Sequence, residues 1–254
     1  MIPIVTVSDE KYMPGLIALH NSFLKNSADG FEFWAMLRGS DEFVEHIKSL
    51  GINVIVEPHF PIDRFPTSKR YPNEEPLFYW RLLIPEIFKQ DYSFFVDCDS
   101  LILQSFQPLV DKGTHDRSIA ATRSNSSSSM EYGPAGSEEF KNANFGPMSS
   151  LYMFNRKIWA ERNVFARCLE AMKSDMVFHT IVQGLLQYVL GRDWHMWPWS
   201  TQAHAGHGTM IKYPRHEIYT LHFMGTNPWD DIPDHLEPYA KFKMDARLLW
   251  ESYR

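Results

Sequence analysis

The first half of the sequence alternates short apolar strands with amphipathic helices. The predicted strands are residues 4–7, 31–36 and 52–56. Between them, residues 12–26 and 41–50 carry apolar side chains at helical spacing. This β-α-β-α-β order with short connections predicts an α/β fold, in which helices flank a mostly parallel central sheet.

The rest of the chain is interpreted from its helix breakers and apolar runs. A loop is expected over residues 59–73, followed by a helix from Asn73 to about Lys89 that Pro85 kinks, because proline removes a backbone donor. Further predicted elements are a buried strand over 92–96, a mobile Ser/Gly-rich loop over 123–144, a strand over 151–154 and helices near 158–173 and 179–190. From Gly191 onward we expect a largely irregular chain. Because the sequence has no internal repeat and no linker, it predicts one domain over residues 1–254.

Composition excludes several classes of protein. The net charge of the 254 residues is −6 and no long basic run occurs, which argues against sequence-independent binding to nucleic acid. No run of about 18 apolar residues is present, so no transmembrane segment is expected. The two cysteines, Cys98 and Cys168, cannot build a disulfide framework, and the sequence starts with a strand rather than with a signal peptide. A reducing, cytoplasmic setting is therefore expected.

The strongest local motif is Asp97-Cys98-Asp99, directly after the predicted buried strand. Ligands of open parallel sheets bind at the carboxyl ends of the strands. In extended backbone the first and third residues face the same side, where two carboxylates repel each other unless a cation lies between them. A hard divalent ion accepts such oxygens together with those of a diphosphate. The alternative interpretation is a solvated turn, with Cys98 as a small buried spacer.

A second motif lies far along the chain, from Leu221 to Trp229. The imidazole of His222 can complete an oxygen-rich site, and mixed nitrogen and oxygen ligands suit manganese better than magnesium or calcium. Gly225 allows a close backbone approach to a phosphate. An isolated histidine here would more simply be a core residue before a Pro-Trp turn, but the Asp-x-Asp motif favours the metal ligand.

The sequence resembles the family 8 glycosyltransferases, the group of glycogenin and the bacterial lipopolysaccharide galactosyltransferases. Five segments carry the resemblance in the family's order: Val5–Tyr12, Tyr79–Leu82, Asp97–Asp99, Leu151–Trp159 and His222–Trp229. The resemblance implies a GT-A fold, which is Rossmann-like and binds nucleotide-diphospho-sugars. It also implies a UDP-sugar donor and Mn²⁺, with Mg²⁺ as a possible substitute. Residues 1–110 would then form the nucleotide-binding half, and residues 111–254 the acceptor-binding half with the C-terminal metal motif.

The resemblance also assigns roles to individual residues. It implies that Asp97, Asp99 and His222 ligate the metal. The implied donor-binding residues are Val7, Asp9, Tyr12, Arg81, Cys98, Gly225 and Asn227. Asn227 stands where the family has a lysine. Met148-Ser149-Ser150 stands where the family has Asn-Ala-Gly, with Asn142 or Asn144 as the alternative match to the asparagine. The family's Asp-Gln-Asp, near the reacting sugar, best matches Phe178-His179-Thr180, so the catalytic candidates are Asp97, Asp99, Arg81 and His179.

The function that these residues predict is metal-dependent transfer of a sugar from a UDP-sugar to a glycan or another hydroxyl-bearing acceptor. The metal and Arg81 would stabilise the charge of the departing diphosphate.

Two alternative functions fit the sequence less well. A sugar-nucleotide nucleotidyltransferase carries a Gly-rich loop after its first strand, whereas residues 8–11 contain no glycine. A non-catalytic carbohydrate-binding protein would explain the many aromatic residues but not the paired motifs.

Other polar and aromatic residues have simpler interpretations. His204 and His207 lie in an Ala/Gly-rich stretch and are expected to be loop residues. Trp194, Trp197 and Trp199 fit an acceptor-binding surface and core packing about equally well.

Overall fold

The computed structural model describes residues 1–62, 65, 76–123, 146–174, 181–205, 213–223, 227–229 and 240–254. They form an α/β fold with a mixed, mostly parallel central sheet flanked by helices, as the sequence predicts. The chain divides into two compact units. The first unit comprises Met1–Glu57, Val96–Asp111 and Pro198–Arg254, and the second comprises Pro58–Phe95 and Lys112–Trp197.

The regular elements are short and follow one another closely. The strands are β1 Ile2–Asp9, β2 Phe31–Arg38, β3 Asn53–Val56, β4 Tyr92–Val96, β5 Ser100–Ile102, β6 Ile119–Arg123, β7 Pro147–Asn155, β8 Trp194–Trp197, β9 Gln202–His204 and β10 Thr220–His222. The α-helices are α1 Met13–Asn26, α2 Asp41–Ser49, α3 Ile84–Ile87, α4 Gln107–Lys112, α5 Arg156–Glu161, α6 Val164–Lys173, α7 Ile181–Leu190 and α8 Ala240–Glu251. Among the described residues, no helix combines the length and the apolar character that crossing a membrane requires.

The first unit contains the predicted alternation of strands and helices. Its parallel strands lie in the order β3-β2-β1, and all but the ends of β1 is buried. Helix α2 begins where the Ser40 hydroxyl accepts a hydrogen bond from the Phe43 amide at 3.3 Å. Asp9 and Arg38 are opposite each other at the ends of β1 and β2, so both strands finish at the same edge.

A small second sheet completes the first unit. Its order is β5-β10-β9, with β10 antiparallel to β5 and parallel to β9. Its residues Leu101 and Leu221 belong to a buried apolar cluster that also contains Trp250. The expectation of a largely irregular chain after Gly191 is therefore wrong. Strands of three residues are too short to show an alternating pattern in the sequence.

The second unit has the strand order β4-β7-β6-β8, in which β6 is antiparallel to β7 and parallel to β8. The continuous helix expected from Asn73 to Lys89 is wrong, because Pro76–Leu83 is a 3-10 helix and only Ile84–Ile87 is α-helical. Pro85 lies in the first turn of α3, where its missing N–H costs no intrahelical bond, so it starts the helix instead of kinking it.

The remaining expectations concern one helix and two loops. The helix expected near 158–173 is two helices, α5 and α6, separated at Asn163, whose φ of 51° is left-handed. Most of the loop expected at 59–73, and all but the first residue of the loop expected at 123–144, lie outside the described residues.

Candidate metal centre

The Asp97-Cys98-Asp99 motif forms the turn between β4 and β5. The extended backbone assumed for it from the sequence is therefore wrong, and the turn itself brings the two carboxylates together. The side chains of Asp97 and Asp99 are 21% and 18% exposed, so they are reachable from solvent while most of their surface is covered.

His222 reaches this turn through strand pairing. In the antiparallel ladder of β10 and β5, His222 is opposite Ser100, and the Phe223 amide donates to the Asp99 carbonyl at 2.9 Å. The imidazole Nε2 lies 3.2 Å from Asp99 Oδ1 and 3.9 Å from Asp97 Oδ2. Residues that are far apart in the sequence therefore form one cluster.

The cluster has the donor atoms that a divalent cation needs. One imidazole nitrogen and two carboxylate oxygens lie within 4.8 Å of one another, and within the described ranges no other group of three such side chains does so. An octahedral ion with ligands at about 2.1 Å separates neighbouring ligand atoms by roughly 3 Å and opposite ones by roughly 4 Å. The observed distances match those separations closely enough for small side-chain movements to close the site.

Asp9 and Tyr12 stand beside the cluster in the same unit. Asp9 caps the 3-10 helix Glu10–Tyr12 by accepting a hydrogen bond from the Tyr12 amide at 3.3 Å, and its other oxygen lies 3.9 Å from Arg38 Nη2. Burial raises the pKa of Tyr12 to about 12, and Cys98 and the carboxylates of Asp99, Asp9 and Asp97 act in the same direction. Tyr12 is therefore a neutral phenol within electrostatic reach of the Asp97-Cys98-Asp99 turn.

Trp229 joins the C-terminal motif to this region. Its ring meets that of Tyr12 edge to face, with centroids 5.8 Å apart and an interplanar angle of 87°. A Cβ atom placed on Gly15 would lie 2.6 Å from two Trp229 ring carbons and 2.7 Å from the carbonyl oxygen of Cys98. Gly15 was missed from the sequence, although a glycine inside a predicted helix is a recognised sign of close packing.

His204 is also placed differently from the expectation. It is the last residue of β9, is 3% exposed and is opposite His222 in the parallel ladder. The two imidazole centroids lie 5.3 Å apart at 66°. The expectation of a loop residue is therefore wrong. A usable signal existed, because Gln202-Ala203-His204 repeats the polar-aliphatic-His pattern of Thr220-Leu221-His222.

Arg81 belongs to the second unit and is held there by backbone oxygens. It donates from Nε to the Phe78 carbonyl at 3.0 Å and from Nη1 to the Ser149 carbonyl at 2.8 Å, and its guanidinium lies 4.1 Å from the centroid of the Phe95 ring. Ser149 lies in the Met148-Ser149-Ser150 segment, so two of the motif segments meet in this unit.

The other predicted site residues have less informative surroundings. Val7 is buried in β1, and Asn227 is half-buried. Burial raises the pKa of the Cys98 thiol well above its usual value, and the charges of Asp99 and Asp97 raise it further.

Trp197 is buried as core packing predicts, while Trp194 and Trp199 are half-buried. His179, Gly225 and His207 lie outside the described residues.

The chain is similar to a known protein family and to solved structures. The family described as Glycosyl transferase family 8 matches the chain over residues 3–233. None of the curated proteins compared with the sequence matches it significantly.

Solved glycosyltransferases share the fold. The galactosyltransferase LgtC in complex with donor and acceptor sugar analogs has a TM-score of 0.68 and 18% identity, over 96% of both chains. The apo bifunctional glycosyltransferase WbbM has a TM-score of 0.69 and 16% identity, and apo GlyE from Streptococcus pneumoniae TIGR4 has 0.65 and 13%. These matches cover 100% and 99% of this chain but only 51% and 63% of the WbbM and GlyE chains. At such identities the likeness shows the fold, which is the expected GT-A fold.

Proposed function

The chain belongs to glycosyl transferase family 8, and we propose that it transfers a sugar from a UDP-sugar donor to a glycan or another hydroxyl-bearing acceptor. The observation that carries this proposal is that His222 of β10 meets Asp97 and Asp99 at a turn that follows a buried strand, with the three ligand atoms within 4.8 Å of one another. The turn occupies the position at which open α/β sheets bind their ligands.

Asp97, Asp99 and His222 would hold one divalent ion, for which we propose Mn²⁺ because nitrogen and oxygen donors are mixed. When bound, the ion neutralises the negative charge that grows on the departing UDP diphosphate. Without a cation the two carboxylates repel each other, and they also repel a diphosphate. The side chains are therefore suited to binding metal and donor together rather than either one alone.

Asp9 and Tyr12 would hold the nucleoside. A carboxylate accepts the N3–H of uracil, and cytosine has no such donor, so Asp9 favours uridine nucleotides. Arg38, 3.9 Å away, offsets the charge of Asp9 without removing its acceptor oxygens. The neutral Tyr12 ring, backed by Trp229, provides a face for the base.

The remaining assignments complete the donor site. Val7, Cys98, Gly225 and Asn227 would contact the donor, where Asn227 can donate a hydrogen bond to the diphosphate but adds no charge. Arg81 would add positive charge to stabilise the leaving group. His179 would lie near the reacting sugar.

Release of UDP from a panel of UDP-sugars tests the proposal. Asp99→Asn keeps the shape of the side chain while removing the charge that holds the metal. We expect it to lower Mn²⁺-dependent release by the order of 100-fold, the effect of losing one strong electrostatic contact at a reacting group. Its melting temperature should stay close to that of the wild type, because the lost repulsion from Asp97 offsets the weaker contact with His222.

Asp29→Asn is the matched control, because Asp29 is an exposed aspartate in the same unit. It should release UDP at the wild-type rate. Full activity of Asp99→Asn in metal-free buffer would contradict the proposed metal site.

A further inference from the structure

We propose that His204 is a positioning residue that fixes the imidazole of His222 toward Asp97 and Asp99. The inference rests on the proposed metal site, in which His222 is a ligand. It assigns a role to a buried histidine that the metal chemistry itself does not use.

Strand pairing places the two histidines side by side. In the parallel ladder of β9 and β10, His204 is opposite His222, and paired residues of neighbouring strands project from the same face of a sheet. The Ala205 amide donates to the His222 carbonyl at 2.9 Å, which holds the ends of the two strands together. The side chain of His204 therefore starts from a fixed backbone position next to that of His222.

The rings are in contact at this position. Their centroids are 5.3 Å apart and the rings are 66° from parallel, which is an edge-to-face contact. His204 is 3% exposed, so it is enclosed and has little freedom to move away. A histidine on a strand can adopt several staggered rotamers, and the contact with the His204 ring limits rotation of the His222 ring toward β9. In the observed orientation Nε2 lies 3.2 Å from Asp99 Oδ1.

His204 is not itself a fourth ligand in this geometry. Among the described residues, the donor atoms within 4.8 Å of one another come from Asp97, Asp99 and His222 alone. A residue that orients a ligand, without touching the ion, typically changes metal affinity by about 10- to 100-fold when it is removed. The effect of His204 is therefore expected on metal affinity and not on the rate at saturating metal.

The test measures free Mn²⁺ by electron paramagnetic resonance during titration in the presence of UDP. We expect His204→Ala to weaken Mn²⁺ binding by about 10-fold or more, because the His222 ring gains freedom. His204→Phe keeps a ring at the contact and should stay within about threefold of the wild type. With a UDP-sugar, His204→Ala should recover the wild-type kcat once Mn²⁺ is saturating.

His20→Ala is the matched control. His20 is a buried histidine of the same unit, packed between Phe23 and Phe33, so its loss costs packing without touching His222. It should leave Mn²⁺ affinity unchanged. If His204→Ala does not fold, His204→Leu removes the ring at similar volume and takes its place.

The outcomes separate the two proposals. A wild-type protein that binds no Mn²⁺ in the presence of UDP would overturn the proposed function. Wild-type binding with an unchanged affinity in His204→Ala would overturn the positioning role alone. Equal losses in the Ala and Phe variants would assign the effect to a polar contact and overturn the ring-packing argument.

Discussion

Gly15→Ala tests the close packing around the Asp97-Cys98-Asp99 turn. Gly15 is the third residue of α1, and its missing side chain lets Trp229 and the Cys98 carbonyl approach the helix. An added methyl carbon would stand 2.6 Å from two ring carbons and 2.7 Å from the carbonyl oxygen. Carbon atoms in favourable contact are roughly 3.5–4.0 Å apart. The Trp229 ring and the Cys98 carbonyl must therefore each move away from the new methyl group by about 1 Å.

The net decrease in the free energy of unfolding is the cost of overpacking minus the gain in helix propensity. Overpacking of this kind costs about 1–3 kcal/mol. Replacing glycine by alanine inside a helix returns up to about 1 kcal/mol of helix propensity, and less in a first turn. A net loss of about 1–2 kcal/mol lowers the melting temperature of a chain of this size by roughly 2–8 °C. Mn²⁺ affinity should also fall, because the obstructed carbonyl belongs to Cys98, between the two proposed aspartate ligands.

Calorimetric melting of a double-mutant cycle measures the effect. Trp229→Leu removes the ring carbons that the new methyl group would strike, so Gly15→Ala should cost less in that background than in the wild type. The expected interaction energy is about 0.5 kcal/mol or more, in the range found for residues in direct contact. A Gly15→Ala protein at least as stable as the wild type, with strictly additive effects in the cycle, would refute the close approach.

Three further predictions concern the donor site. Mn²⁺ and UDP together, each at ~100 times its dissociation constant, should raise the melting temperature by roughly 5–10 °C. This shift should be well above that of either ligand alone, because coupling between the two ligands is reciprocal. Purely additive shifts, or equal shifts with GDP, would contradict the donor site. In calorimetric titrations, Asp9→Ala should weaken UDP binding by about 10- to 100-fold and remove the preference for UDP over CDP. Unchanged UDP affinity would exclude the base-binding role of Asp9. The folded-state pKa of Tyr12, about 12, lies above its ordinary value of 10.0, so the unfolded chain releases this proton first and stability falls as pH rises through that window. In denaturant melts, Tyr12→Phe should therefore lose less stability than the wild type between about pH 10 and 12. Identical pH profiles of stability would exclude a contribution from Tyr12.

The sequence predicts the first half of the fold well, for a physical reason. Strands β1 and β2 and helices α1 and α2 are long enough to show their periodicity, and their ends carry the expected breakers and caps. The 73–89 segment fails because an apolar stripe does not distinguish an α-helix from the 3-10 helix Pro76–Leu83. Strands β5, β9 and β10 have three residues each, too few to show the alternation of a strand, and they pair with segments far away in the sequence.

The residues of the candidate site also fall into two groups, those that the sequence predicts and those whose contacts only the structure identifies. Asp97 and Asp99 were predictable from their position after a buried strand, and His222 from the resemblance to a known family. The contact of His204 with His222 and the packing of Gly15 against Trp229 join segments far apart in the sequence, so the local signals at His204 and Gly15 identify neither contact. The proposed ligands could therefore be predicted, whereas the contacts that hold them in place required the structure.

The small sheet explains how three-residue strands can position His222, the proposed metal ligand, accurately. Its middle residues, Leu101, Leu221 and Ala203, are opposite one another and are buried in one apolar cluster with Trp250. Because side chains alternate along a strand, the neighbouring row must project from the other face. That row contains His222 with Ser100 on one side and His204 on the other. Burial of the aliphatic row thus fixes the register, and a slip of one residue would turn His222 away from the aspartates.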